Sequence, residues 1–524
     1  MVEEMTNTWM QLQPSWGRNV GLHAYDGKVA QYDAASIDKH GRWLGEVIAR
    51  LDKVDAAKLS ADEQLDLAAL RNRATLERFD IEERALHRSN PLYYNELFDV
   101  GGYIKFNYAP LEQRAKQLLA HEQAALKQTK HIIGNLSPAL SRPIVQTAIK
   151  MFRGYASFLR GDVLKVVGGV KDDAFQKSFA STNEALAAGA ERVANTLEKE
   201  FVPRADETSH VLGRERYLRF VAAQEGTAYT LEQLKKMADA DLARNKQAYA
   251  ELAKTVTPER PKAEELLGAA RALVEKSRLF VIDKQLASMP SDDRCSVEES
   301  PPYMRWNAAF LNMPGPFDSA KEAFYYITLP DPSWPEKEQE EYIFPWGTLM
   351  ATTVHEAYPG HFLHGLFMRN APTKVQKLTD SYSFTEGWAH YTEQLMIEQG
   401  FGADDPQNRL GQLSDALLRN CRFVVSIGVH AEGMSLDQAA QRFIDDCFQD
   451  KATAREQAVR STFDPGYFAY TLGKLQILQL RAELKREMGA RFDLKAFHDA
   501  LLSHGAPPLA LLRARVRSKL LGQQ

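Results

Sequence analysis

Nine of the 23 prolines fall within residues 290–345, between two longer stretches that carry a helical pattern. Proline ends helices, and it disfavours helical conformation in the residue before it. The chain is therefore predicted to form two helix-rich regions joined by irregular structure. Inside this segment, the run Ala323-Phe-Tyr-Tyr-Ile-Thr328 is prone to β-structure and is predicted to be one strand of a small sheet.

The first region, residues 1–285, has apolar residues at helical spacing over most of its length, as at Leu186 and Ala190. Two capping boxes occur there, Ser181–Glu184 and Thr230–Gln233, and each is expected to begin a helix. Long amphipathic helices with a buried apolar face account for this region.

The second region, residues 286–524, becomes helical again from Phe344 onward. Helices are predicted to begin at Pro345 and to span 380–399, 406–430, 437–448 and 466–487, with Asp493 capping the last one. These patterns predict a mainly α fold in which both regions belong to one continuous unit.

The composition excludes several classes of protein. There are 65 basic and 69 acidic side chains, so no charge excess points to nucleic acid or to an anionic membrane. The chain has no run of about 18 apolar residues, the length needed to span a bilayer.

The cysteines bear on the compartment. Cys295, Cys421 and Cys447 are widely spaced, so they are expected to be thiols in a reducing compartment. The chain as written is expected to be cytoplasmic, although an export leader removed beforehand would leave no trace, and its oligomeric state is not indicated.

The strongest motif is His355-Glu-Ala-Tyr-Pro-Gly-His361. Two histidines four residues apart lie about 40° apart around a helix and can share one zinc ion, but a separation of six places them about 120° apart. Pro359 and Gly360 provide the means to interrupt the helix and to loop out the two additional residues. The motif therefore predicts that His355 and His361 converge on one metal, with His364 as a rival second ligand.

A second motif about 30 residues downstream supplies the remaining groups. Glu386, His390 and Glu393 fall on one face of a predicted helix. Catalytic zinc needs a third protein ligand, and Glu386 is the best candidate. Glu393 and His390 are expected to orient the ligand imidazoles. Glu356, next to the first ligand, is expected to act as the general base toward the water that zinc activates.

Further candidates lie outside these motifs. A tyrosine hydroxyl is a neutral donor suited to an oxyanion, so Tyr467 and Tyr470 are candidates for that role. Arg460 could pair with a carboxylate of the substrate. His430 could belong to the site or to the core, and Tyr326, on the predicted strand, is a candidate for substrate binding.

The paired motifs resemble those of the domain of unknown function 885 (DUF885) family, a family of candidate zinc metallopeptidases. More distantly, the chain is similar to the thimet-oligopeptidase-like peptidases. These resemblances imply a large helical shell around a deep cleft, one wall of which is the N-terminal region, with a small β-sheet beside a zincin-like His-Glu helix. They also imply that Glu386 is the third ligand and that the strand 323–328 lies beside the cleft as an edge for extended peptide.

The sequence therefore predicts a zinc-dependent hydrolase with one Zn²⁺ per chain that cleaves a peptide or other amide bond. Two alternatives stay open. One is a catalytically inactive helical scaffold that binds peptides and retains a vestigial metal site. The other is a metal-dependent hydrolase of a non-peptide amide or ester.

Overall fold

The computed structural model describes residues 1–301, 304–305 and 307–522, and within them the fold is mainly α, as predicted. The α-helices of this part are α1 Val2–Leu12, α2 Pro14–Asn19, α3 Ala34–Leu51, α4 Ala61–Glu82, α5 Leu86–Ser89, α6 Gly101–Lys105, α7 Leu111–Asn135, α8 Arg142–Phe158, α9 Leu164–Val167, α10 Asp173–Thr196, α11 Arg214–Glu225, α12 Leu231–Leu252, α13 Ala263–Asp283, α14 Glu336–Tyr342, α15 Trp346–Glu356, α16 His361–Arg369, α17 Lys374–Leu378, α18 Tyr382–Glu398, α19 Pro406–Ala431, α20 Leu436–Cys447, α21 Lys451–Phe463, α22 Ala469–Met488, α23 Leu494–Leu502 and α24 Leu509–Leu521.

The predicted caps have different outcomes. Thr230 begins α12 with a capping box, as predicted, because its side chain accepts from the Gln233 N–H while Gln233 reaches back to the Thr230 N–H. The box at Ser181 is wrong: it lies inside α10, which begins earlier because the Asp172 carboxylate accepts from the Phe175 N–H. Apolar residues upstream of Ser181 continue the buried face, so the helix extends through it.

The C-terminal helices largely follow the predicted bounds, with two differences. Asp493 does cap α23 through the Ala496 N–H, but this helix is not the last, because α24 follows directly after Pro508. Helices α17 and α21 were also not expected from the sequence. Proline at the position before a first turn is compatible with a helix start, so Pro508 begins a helix here rather than ending one.

The small sheet has three strands, β1 Cys295–Glu299, β2 Ala309–Asn312 and β3 Ala323–Ile327, in the order β1-β3-β2. β1 pairs with β3 in parallel and β2 pairs with β3 antiparallel. The predicted strand is therefore present, but its expected position at an edge is wrong. β3 is the central strand, with partners on both sides and Tyr325 fully buried, and β2 is an edge strand.

The hydrophobic core consists of several clusters. The largest is built from α1 to α4, α6 to α10 and the segments between them, and is completed by Val375 and Leu378 of α17. A second cluster surrounds the sheet, α15, α18 and α22 to α24, and it includes Leu65 of α4. Residues from both predicted regions thus share core clusters, while the division near residue 285 stays a prediction.

Two glycine contacts bring helices unusually close together. Gly347 on α15 faces Gly411 on α19, and a β-carbon added to Gly411 would lie 2.0 Å from the Gly347 carbonyl carbon. Gly387 on α18 faces Gly473 on α22, where an added β-carbon would lie 1.8 Å from the Ser383 carbonyl oxygen. Each contact fixes one of the helices that carries a predicted metal ligand.

The cysteines differ from expectation. Cys421 on α19 and Cys447 on α20 form a disulfide, with their Cα atoms 6.3 Å apart, and Cys295 is a buried free thiol. The expectation of three thiols is wrong because spacing along the chain does not report that α19 and α20 pack side by side. No helix in the described residues combines the length and the apolar character needed to cross a membrane.

We expect Gly473→Ala to lower the free energy of unfolding by roughly 1–3 kcal/mol, since the new methyl group must displace helix backbone. The matched control is Gly268→Ala, on the exposed face of α13, where an added β-carbon meets nothing within 4 Å. That change should be neutral or stabilising by up to about 1 kcal/mol. Urea denaturation measures both, and equal effects of the two variants would refute the close contact.

The disulfide predicts the number of reactive thiols. Protein purified without reductant and unfolded in guanidinium should react with a thiol reagent at one cysteine per chain, Cys295, and at all three after reduction. Cys295→Ser should abolish the reaction before reduction. Three reactive thiols in the unreduced wild-type protein would contradict the pairing.

Candidate metal centre

The two residues in excess of a four-residue spacing form a break between two helices. α15 ends at Glu356 and α16 begins at His361, with Ala357–Gly360 looped out between them and a cis peptide bond before Pro359. The Gly360 N–H donates to the Val354 carbonyl at 3.1 Å, which folds the loop back onto the end of α15. As a result, the imidazole rings of His355 and His361 have centroids 4.6 Å apart.

The loop can fold back onto the end of α15 only because residue 360 is a glycine. A β-carbon added there would lie 1.8 Å from the His355 carbonyl oxygen and 2.4 Å from the Val354 carbonyl oxygen. Both are backbone atoms at the end of α15, so neither can move without displacing His355. The absence of a side chain at residue 360 therefore sets how closely His361 approaches His355.

Glu386, on α18, completes a set of three ligand atoms. Its Oε2 lies 3.3 Å from His355 Nε2 and 3.5 Å from His361 Nε2. Two ligand atoms bound about 2.0–2.1 Å from one tetrahedral ion are separated by roughly 3.3 Å, so these spacings match a shared ion. The same Oε2 is buried and accepts no hydrogen bond from a described residue, which leaves it free to bind a cation.

The electrostatics of this group favour a cation. Burial raises the pKa of Glu386, but the neighbouring His361 and His355 outweigh it and hold that pKa well below its usual value. Burial lowers the pKa of His355, but Glu386 and Glu393 raise it to about 9. The carboxylates thus create a negative potential between the imidazoles. Two imidazoles and one carboxylate are a donor set used by catalytic zinc, and the residues fit that ion.

Glu356 lies beside these ligands but is held differently. A carboxylate oxygen of Glu356 comes within 4.8 Å of ligand nitrogens of both histidines, so it belongs to the group that can hold a metal. Its Oε2 also accepts the Leu311 N–H of β2 at 2.8 Å. This hydrogen bond directs the carboxylate toward β2, whereas Glu386 Oε2 has no such partner. The two carboxylates therefore differ: one oxygen of Glu356 is held by backbone, whereas Glu386 Oε2 lies between the two imidazoles.

The free edge of β2 faces this site. The Thr328 N–H donates to the Ala308 carbonyl, and in an antiparallel pair the hydrogen-bonded positions alternate. Leu311, three residues along the strand, therefore directs its N–H away from β3, and it meets Glu356 there. The outer edge of β2 thus lies beside the two histidines of this site, with its Leu311 N–H bonded to Glu356.

Glu393 contacts the His355 ring from the side opposite Glu386. Its Oε1 lies 2.7 Å from His355 Nδ1, and its Oε2 lies 3.0 Å from His390 Nδ1. Burial lowers the pKa of His390 to about 3, so this ring is neutral and its Nδ1–H donates. Burial raises the pKa of Glu393, but Arg419 and His390 outweigh it, so the carboxylate is ionised. An ionised acceptor at Nδ1 leaves His355 Nε2 available for a metal.

Arg419 is a part of this network that the sequence analysis missed. Its Nη2 lies 3.2 Å from Glu393 Oε1, and its Nη1 lies 3.7 Å from an oxygen of Asp415. Burial raises the pKa of Asp415 to about 6. A signal was present, because Asp415, Arg419 and Arg422 are charges on one face of the otherwise largely apolar helix α19. Charged side chains buried on one face of a helix are expected to be paired.

The two candidate tyrosines lie in different surroundings. The Tyr470 ring stacks on the His355 ring at 6.4 Å, and its hydroxyl has no hydrogen bond to a described residue. Burial and the charge of Glu386 raise the pKa of Tyr470, so the hydroxyl stays protonated and can donate. Tyr467 is fully buried, and its hydroxyl donates to the Gln457 carbonyl at 3.4 Å. Tyr470 is therefore the tyrosine that the fold brings to the ligands.

The remaining candidates are not in the ligand group. Arg460 pairs with Asp464 at 3.0 Å and donates to the Tyr382 hydroxyl. His430 is buried and contacts the Ser461 carbonyl at 2.7 Å. His364 faces the Gly505 carbonyl at 3.3 Å, away from the ligands. Tyr326 lies half-buried on β3 and packs between Phe310 and Phe324.

Comparison with known proteins gives a family and a fold. A family model described as a bacterial protein of unknown function, DUF885, matches residues 14–516. No curated protein matches the chain.

Solved structures extend the comparison. A candidate lipoprotein of unknown function from Shewanella oneidensis is 24% identical, with a TM-score of 0.80 and 98% of each chain covered. A candidate lipoprotein from Colwellia psychrerythraea is 18% identical, with a TM-score of 0.81, covering 98% of this chain and 97% of that one. Metallocarboxypeptidase 1 of Trypanosoma cruzi is 12% identical over 93% of this chain and 86% of that one, but its TM-score of 0.36 is too low to support an argument. The first two likenesses show a shared fold.

We expect Glu393→Gln to weaken the binding of a divalent metal by roughly 10- to 100-fold, because the ligand imidazole loses its ionised partner. Titration of the metal-free protein with zinc, in competition with a chromogenic chelator, measures this. The matched control is Glu398→Gln on the same helix, where Glu398 pairs with Arg481 near the surface. Equal zinc affinity of the two variants would contradict the orienting role of Glu393.

Proposed function

This chain belongs to the DUF885 family of bacterial proteins of unknown function, and we propose that it is a zinc-dependent hydrolase that cleaves peptide bonds with water. The observation that carries the proposal is the position of Glu386 Oε2, 3.3 Å and 3.5 Å from the Nε2 atoms of His355 and His361 and without a hydrogen bond. His355, His361 and Glu386 would hold one zinc ion. When bound, zinc supplies Lewis acidity that allows water to be deprotonated near neutral pH.

Glu356 would take the proton from the attacking water. Its carboxylate lies beside the ligand histidines, and the Leu311 N–H holds one of its oxygens. The other oxygen is available to accept the proton and then to pass it to the departing amine. No covalent intermediate with the protein is required, because water attacks directly.

Tyr470 would stabilise the developing negative charge on the carbonyl oxygen of the substrate. Of the two candidate tyrosines, it is the one whose ring stacks on His355, and its raised pKa keeps the hydroxyl proton in place. A neutral hydroxyl aimed at an oxyanion stabilises the transition state more than the ground state. Tyr467 is less suited, since its hydroxyl is already bonded to backbone.

A peptide is the preferred substrate class because of β2. This strand presents its free edge beside Glu356, and an extended peptide can pair with such an edge through backbone hydrogen bonds. Phe310 of β2 and Tyr326 of the adjacent β3 would offer apolar surface to side chains of the substrate. An edge strand beside a general base favours a peptide over a small ester.

The disulfide indicates the cellular compartment in which the protein acts. Cys421–Cys447 favours an oxidising compartment over the cytoplasm, since disulfides rarely persist where thiols are kept reduced. Two proteins of the same fold are described as candidate lipoproteins. We propose that this protein acts outside the cytoplasm.

Glu356→Gln should keep zinc but reduce peptide hydrolysis by roughly 100-fold or more, because it removes the base and leaves the ligands. His361→Ala should lose both the bound zinc and the peptide hydrolysis. Zinc is measured by mass spectrometry, and cleavage is measured on a mixed peptide library with and without chelator.

Two outcomes would oppose the proposal. Full activity of Glu356→Gln would show that the mechanism is wrong. Absence of zinc and of cleavage in the wild-type protein, after loading with zinc, would favour a peptide-binding scaffold.

A further inference from the structure

Three arginines surround the aromatic pair Tyr382 and Tyr470 beside the ligand group. The pair is in T-shaped contact, with ring centroids 5.7 Å apart. Arg419 pairs with Glu393 at 3.2 Å, and Arg460 pairs with Asp464 at 3.0 Å. The third, Arg422, has no carboxylate partner within ion-pair distance among the described residues.

Arg422 is nevertheless buried, with 8% of its surface exposed. Its Nε donates to Gln457 Oε1 at 2.9 Å, and its guanidinium lies 4.9 Å from the centre of the Tyr470 ring. Its two Nη atoms donate to no described residue. Neither Nη is one of the fully buried polar atoms without a hydrogen bond, so each keeps some surface that water can touch.

A buried guanidinium without an ionic partner lowers the stability of the fold unless an anion binds to it. A buried charge without a partner is strongly destabilising, and stacking on Tyr470 offsets only part of that cost. The free Nη atoms form the planar fork that binds a carboxylate through two parallel hydrogen bonds. The guanidinium stays charged at neutral pH, so its binding capacity does not depend on titration.

The distance to the metal ligands limits what can bind. Arg422 is 4.9 Å from the Tyr470 ring centre, which is 6.4 Å from the His355 ring centre. The guanidinium therefore lies within about 11 Å of the His355 imidazole. An extended peptide advances about 3.3–3.6 Å per residue, so no more than about three residues fit between the scissile bond and a carboxylate held by Arg422.

We propose that Arg422 binds the C-terminal carboxylate of the substrate and makes this protein an exopeptidase that releases one to three residues from the carboxyl end. This proposal rests on the proposed peptidase function and names its substrate class. It assigns to Arg422 the role expected from sequence for Arg460. Arg460 is already neutralised by Asp464, so a second carboxylate there would meet a negative charge.

The test compares one peptide library in two forms, with free C-terminal carboxylates and with C-terminal amides, and the products are read by mass spectrometry. The wild-type enzyme should cleave the free acids at least 100-fold better than the amides, and it should release fragments of at most three residues. Arg422→Gln should lose about 100-fold on the acids and little on the amides, which brings the ratio close to one. Arg422→Lys, which keeps the charge, should retain much of the preference.

The matched control is Arg455→Gln on α21, where Arg455 is exposed and pairs with Asp437. It should preserve the ratio of acid to amide cleavage. A purely structural role of Arg422 predicts an equal loss on both forms of the library, and that result would overturn the proposal. Cleavage of amides that depends on Arg422 and on Asp or Glu in the peptide would also overturn it, since the bound group would then be a side-chain carboxylate.

A binding measurement tests the carboxylate site independently of the proposed hydrolase activity. Saturation-transfer NMR compares N-acetyl-dialanine with its amide, on wild-type protein and on Arg422→Gln, with no hydrolysis required. Preference for the acid that is lost in Arg422→Gln supports the carboxylate site even if no cleavage is found. Cleavage without any such preference retains the hydrolase and rejects the carboxylate site.

Discussion

The arrangement of the site depends on one buried carboxylate, that of Glu393. It contacts His355 on α15, His390 on its own helix and Arg419 on α19. Three helices thus meet at a single ionised group that has no access to solvent. Its charge is tolerated because each oxygen has a donor, and removal of one donor would leave the others around an uncompensated charge.

Backbone contacts supply the rigidity that such a group needs. α15 touches α19 at Gly347 and Gly411, and α18 touches α22 at Gly387 and Gly473. Side chains can change rotamer, but backbone that packs against backbone has little freedom to adjust. The helices that carry His355 and Glu386 are therefore held by contacts that do not involve the ligands themselves.

The sequence predicted the parts of this structure that depend on local chemistry. The helix over Trp346–Glu356, the break at Pro359-Gly360 and the face shared by Glu386 and Glu393 follow from spacing and from the properties of proline and glycine. These features involve residues close together in the chain, where helical geometry determines which side chains meet.

What could not be predicted depends on which helices become neighbours. The partners of Arg419 and Arg422 lie across helix interfaces, the disulfide joins residues 26 positions apart, and β2 becomes an edge only through its pairing with β3. The box at Ser181 failed for a different reason: Ser and Glu three residues apart also occur inside helices, and only the competing cap at Asp172 decided the start.

Helix α19 carries Gly411, Arg419 and Arg422 on one continuous helix. This arrangement has a consequence for how substrate length could differ among related proteins. At a rise of about 1.5 Å per residue, the contact with α15 and the free guanidinium are roughly 16 Å apart along the axis. With the proposed carboxylate site at Arg422, this helix would fix the distance between α15 and the end of a bound peptide. A relative with its unpaired arginine one turn earlier or later on this helix would measure a different length of peptide while the metal ligands stay unchanged.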